Sequence, residues 1–133
     1  MGFHITGADV DYSCSTWGGI LSMAYAFNWM PVGAKSCGYL EYREGYEPPN
    51  TEDVENEEDS YITYFFNFGQ YVKPEDARNI GLALKKAKSA SDGSEEFSAD
   101  EIEFAKSYKG LIYYAQPFAD YCLQEDQLGF EIW

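Results

Sequence analysis

Between Tyr61 and Ala90 the hydrophobic pattern changes from one suited to a strand to one suited to a helix. Tyr61, Ile62, Thr63, Tyr64, Phe65 and Phe66 form a run of aromatic and β-branched side chains, which predicts a strand on a pleated, half-buried surface. Asn67, Phe68 and Gly69 follow. Asn and Gly accept a positive φ most readily, so a turn there leads into Gln70, Tyr71 and Val72 as the second arm of a hairpin. At Lys73-Pro74-Glu75-Asp76-Ala77 proline takes the first helical position, where its missing N–H is no loss, and two acids sit where the helix dipole favours negative charge. The helix this predicts carries Ala77, Ile80, Leu84 and Ala87 at spacings of three and four. Arg78, Lys85, Lys86 and Lys88 lie mostly off that stripe, where basic residues offset the negative end of a helix, and no further role is assigned to them.

On the N-terminal side, Phe3, Ile5 and Val10 alternate with His4, Thr6 and acids, which predicts a short first strand with His4 towards solvent. Ser15 is the expected cap of a helix running through Asn28, with Trp17, Ile20, Leu21, Ala24 and Phe27 on one side. Gly18 and Gly19 weaken its first turn and point to close packing. Pro31 and Gly33 end that helix in a turn. Towards the C-terminus, Ser98 and Glu101 have capping-box spacing, and Ile102, Ala105, Tyr108, Leu111 and Ile112 carry a helix towards Gln116. Pro117 kinks it or starts another segment, extended by Phe118, Tyr121 and Cys122. Gly129 marks a turn before Phe130-Glu131-Ile132-Trp133, which alternates as a strand tied into a sheet.

A chain of 133 residues fits one domain that removes roughly two-thirds of its unfolded surface from water. The pattern therefore predicts a single α+β domain, residues 1–133. Three or four helices cover a small antiparallel or mixed sheet, and an acidic loop is inserted at about 41–60. Between Glu41 and Asp59 there are nine acids against the single Arg43. A tract of that kind repels itself and buries little apolar surface.

Charge narrows the function classes. A net charge of −14 and a pI near 4.2 oppose direct binding to the phosphates of nucleic acid. Apolar runs are too short to span a bilayer, and the first 20 residues lack a basic region followed by an apolar core. Neither membrane insertion nor export is expected. Cys14, Cys37 and Cys122 are odd in number and, with His4 the only histidine, lack metal-like spacing. A reduced cytoplasm and no metal or cofactor are the expectation. Asp9-Val10-Asp11-Tyr12-Ser13 is similar to the opening of a calcium loop, but Cys14 and Ile20 stand where that loop needs Gly and Glu. Phosphate-binding, dinucleotide and nucleophile-elbow motifs do not occur in the sequence. With 23 acids some carboxylate pair is always at hand, so no pair is assigned to catalysis and a non-enzymatic role is expected.

The expected function is an inhibitor or immunity-type factor that binds a basic protein surface, with a nucleic-acid enzyme as the anticipated partner. Glu52, Asp53, Glu55, Glu57, Glu58 and Asp59 would steer the encounter, and Tyr42, Tyr46 and Tyr61 would anchor it. The alternative is a small-molecule binding domain whose aromatic-lined pocket offers Trp17, Asn67 and Gln70. Aromatic residues at 18% of the chain serve either reading.

Three separated stretches carry a resemblance. Asn28-Trp29-Met30-Pro31-Val32-Gly33 is similar to a Gly-Trp-x-Pro-x-Gly turn, with Asn28 in place of the glycine. Tyr64-Phe65-Phe66-Asn67-Phe68-Gly69-Gln70-Tyr71-Val72 keeps Tyr, Asn, Gly, Gln and Val of a Tyr-x-Ser-Asn-Asp-Gly-Gln-x-Val segment that precedes an Asp-Ala helix, while Phe66 and Phe68 depart from it. Gly129, Phe130, Ile132 and Trp133 match a closing Gly-Phe-x-Ile-aromatic. Together these resemble a family of small bacterial and phage-borne proteins of unassigned activity, over about half the chain. The resemblance implies a shared fold and no activity.

Overall fold

A computed structural model of the chain describes residues 2–33, 64 and 69–133. Four strands and five helices are described, in the order β1 (Gly2–Ile5), β2 (Val10–Ser13), α1 (Cys14–Ala26), β3 (Gln70–Val72), α2 (Pro74–Ser91), α3 (Ala99–Ser107), α4 (Lys109–Tyr114), α5 (Gln116–Cys122) and β4 (Phe130–Ile132). The strands form one antiparallel sheet in the order β2-β1-β4-β3, so the fold is α+β as the pattern predicted.

The N-terminal alternation resolves into two strands rather than one. β1 and β2 pair from Gly2 opposite Ser13 to Ile5 opposite Val10. The pseudo-calcium segment is thereby spent on a strand. β2 leads directly into α1, whose cap is Ser13 and not Ser15: the Ser13 side chain accepts from the Thr16 N–H at 3.2 Å. The strand leaves Ser13 in the extended conformation that a cap requires.

β4 joins the two halves of the sheet. It pairs with β1 through Ile5 opposite Ile132, and with β3 from Gln70 opposite Ile132 to Val72 opposite Phe130. Gln70–Val72 is thus a strand, as expected. The first arm of the expected hairpin, Tyr61–Phe66, lies outside the described residues apart from Tyr64, and the partner seen for β3 is β4.

Alternation along the strands turns Phe3, Ile5, Tyr12, Val72, Phe130 and Ile132 inward. They meet Trp17 of α1 and Phe118 of α5 in an aromatic core: Trp17 stands edge-on to Phe118 at 5.5 Å between centroids, and Phe118 edge-on to Phe130 at 5.6 Å. α2 packs against α1, α3 and α5 and buries Ala77, Ile80, Leu84 and Ala87, the stripe its spacing predicts. Ser98 caps α3 in a full capping box, with Ser98 N–H to Glu101 at 2.9 Å and Glu101 N–H to Ser98 at 3.2 Å. The helix expected to run to Gln116 breaks first at Tyr108, and Pro117 falls in the opening turn of α5. Among the described residues no helix is long and apolar enough to cross a membrane.

Candidate functional site

The end of α1 sets the geometry of the turn that follows. Asn28 takes a φ of 79°, its N–H bonds the Tyr25 carbonyl, and the Trp29 N–H reaches back to the Ala24 carbonyl at 3.0 Å. This is the two-bond helix stop that places a left-handed residue just beyond the cap. Asn tolerates that conformation second only to glycine, so Asn28 meets the backbone requirement of the turn.

The turn is then fastened to α2 by one carboxylate. Asp76, in the first turn of α2, is fully buried. Its Oδ1 accepts from Trp29 Nε1 at 3.1 Å and the Val32 N–H at 2.9 Å, and its Oδ2 from the Gly33 N–H at 2.8 Å and the Tyr64 hydroxyl. Four donors replace the water this carboxylate lost on burial. Tyr64 is itself doubly held, stacked on Trp29 at 6.1 Å and accepting at its carbonyl from Trp17 Nε1 at 2.9 Å. Burial, reinforced by the bond to Asp76, pushes the Tyr64 hydroxyl far above its ordinary range and keeps it a donor. Sequence placed Asp76 correctly as a first-turn acid but missed this role. No local spacing signals it, because Trp29, Gly33 and Tyr64 lie 47, 43 and 12 positions from Asp76.

Beside this anchored turn lies a half-open groove of about 340 Å³. One wall is the turn, with Met30 and Val32 exposed at 57% and 51%, and the floor includes Phe27 and Trp29. The other wall is a stripe of α2 at Glu75, Asn79, Leu82 and Lys86, spaced four, three and four so that they share one face. An acid and a base thus mark ends roughly 16 Å apart along the helix, with apolar surface between them. The volume falls within the span of small-ligand sites and equally admits one large side chain of a protein partner.

The expected site residues separate into two groups. Glu52, Asp53, Glu55, Glu57, Glu58, Asp59, Tyr42, Tyr46, Tyr61 and Asn67 lie outside the described residues. Trp17 and Gln70, expected to line a ligand pocket, belong instead to the interior: Trp17 is fully buried with its N–H spent on the Tyr64 carbonyl, and Gln70 points inward from β3. Neither lines the groove. Of the cysteines, Cys122 is buried, which pushes its thiol well above the usual range, and Cys14 is half-buried. Comparison with protein-family models, with known protein sequences and with solved structures finds no match to this chain.

Proposed function

We propose that the chain is a non-enzymatic acidic interaction protein, an inhibitor or immunity-type factor that engages a basic surface of another protein. The observation that carries this reading is where the charge lies. Of the 23 acids, the described residues bury only Asp76, which folding consumes as an acceptor; Glu75, Glu95, Glu96, Asp100, Glu101, Glu103, Glu125, Asp126 and Glu131 are all exposed. The described residues carry thirteen exposed acids against seven Lys and Arg, and such an excess of negative charge speeds encounter with a basic partner and repels acidic competitors. A nucleic-acid enzyme offers such a surface in the cleft that holds phosphates. The test is association with basic nucleic-acid enzymes, measured across salt concentration with and without residues 50–59. Deletion is expected to weaken binding at low salt and to flatten the salt dependence. Unchanged affinity and slope would overturn the reading.

The groove favours a second reading, a small-molecule binding domain, because its aromatic floor and apolar rim resemble a ligand site in size and lining. A ligand that binds only the native state raises its melting temperature, so a thermal-shift screen separates the two. A shift abolished by Leu82→Glu would favour the groove.

A further inference from the structure

The sheet has a second face, turned away from the aromatic core. Alternation brings Tyr71 of β3, Glu131 of β4 and Trp133 just beyond it to that face, with Tyr71 52% and Trp133 53% exposed. Rings of this size are normally buried for their apolar area, and here two stand in solvent on neighbouring strands.

Both rings are held in place by glycines. Gly69, at a φ of 95°, lies beneath the Trp133 ring, and a Cβ there would come within 2.8 Å of two ring carbons. Gly129, at a φ of 90°, leaves room for Tyr71, whose hydroxyl donates to the Leu128 carbonyl. Glu131 stands opposite Tyr71 in the strand register and accepts from Trp133 Nε1 at 2.9 Å. Its backbone is clamped to Thr6: the Glu131 N–H donates to Thr6 Oγ1 at 2.8 Å, and that hydroxyl donates to the Glu131 carbonyl at 3.1 Å. Two rings and a carboxylate are therefore fixed before any partner arrives, which limits the ordering that binding requires.

Elsewhere the molecule shows what such a set holds. Lys88 and Lys109 lie 5.3 and 5.4 Å from the centre of the Tyr113 ring, beside the carboxylate of Asp92. Among the described residues no cation stands over Tyr71 or Trp133, and Glu131 forms no ion pair. His4, bonded to Asp11 at 2.8 Å, brings a second acid to the same face one strand further on.

We infer that the Tyr71–Glu131–Trp133 face receives an arginine side chain of the basic partner. The guanidinium stacks on the indole and pairs with the Glu131 carboxylate, uses that its planar fork serves better than an ammonium does. The inference rests on the proposed interaction function and adds to it a position for the contact.

The test uses the full chain and a soluble peptide of alternating arginine and glycine, with the citrulline version as the uncharged control. The arginine peptide is expected to move the Trp133 indole N–H resonance, and the citrulline peptide to leave it in place. Trp133→Ala is expected to weaken binding about threefold to fivefold with no change in charge, and Trp133→Phe to restore most of the loss. Glu131→Gln is expected to weaken it more than Glu125→Gln, which removes the same charge from another exposed site. Equal effects of the two glutamine variants, or no effect of Trp133→Ala in a chain with normal thermal unfolding, overturn the inference. If that happens while deletion of residues 50–59 still weakens binding, the acidic-partner reading stands and only the sheet face is excluded. If the deletion is also silent, both fall.

Discussion

Two aspartates each accept a hydrogen bond from a tyrosine hydroxyl, at opposite ends of α2, and they differ in almost everything else. Asp76 is fully buried and takes Tyr64, an indole N–H and two backbone amides. Asp92, just beyond the helix, is 38% exposed and takes Tyr113 with Lys88 at 3.2 Å and Lys109 at 3.7 Å. The cationic partners belong to the exposed site, and the buried one is satisfied by neutral donors. Water competes for every bond at Asp92 and for few at Asp76, so the same pairing holds a turn in one place and trims a surface in the other. The tyrosines report the difference. Burial is the main cause of the upward shift at Tyr64, and the bond to Asp92 is the main cause at Tyr113.

The largest test of this contrast is Asp76→Ala, which leaves the Trp29 N–H and the Tyr64 hydroxyl buried without their acceptor. It is expected to lower stability by about 3–5 kcal/mol in urea denaturation. A loss no greater than that of an ordinary surface substitution would refute the anchoring role. Next comes Tyr64→Phe, which keeps the stack on Trp29 and removes one of four donors, with an expected loss of about 1–3 kcal/mol. Tyr113→Phe makes the matching change at the exposed site. Its unfolding midpoint is expected to stay close to that of the parent chain, and a loss equal to that of Tyr64→Phe would erase the distinction.

The smallest effect is one of pH. Asp92 is held below the usual carboxylate range, chiefly by the Tyr113 hydroxyl and then by Lys88 and Lys109. A carboxylate lowered in the folded state contributes stability above its ordinary value, near 4, and loses it as pH falls through the folded value. Asp92→Asn is therefore expected to lower stability slightly at neutral pH, to match the parent at the acid end, and so to flatten the acid limb of the profile. A steeper acid limb in the variant would reverse the assignment.

What could be read from the sequence follows the reach of the interactions. The Ser98–Glu101 capping box and the buried stripe of α2 were legible because each is decided within one or two helical turns. Ser15 was the expected cap, and the pairing of β2 with β1 put Ser13 in that place instead. Asp76 looked complete as a first-turn acid. Its burial depends on Trp29 and Tyr64, 47 and 12 positions away, whose arrival no local rule contains. Trp17 read as a ligand group for the opposite reason: its indole N–H looked available until the Tyr64 carbonyl claimed it. The exposed rings of Tyr71 and Trp133 were visible as residues, but the glycines that seat them act across strands, where sequence spacing gives no warning.

The place of β4 between β1 and β3 has a consequence for how the chain folds. Thr6 and Glu131 bond across 125 positions, so the hairpin of β1 and β2 can form early while its inner edge waits for β4. Such long-range pairing slows folding and makes sheet closure a late event. Until then β1 and β3 each present an open edge, the kind of surface on which aggregation begins.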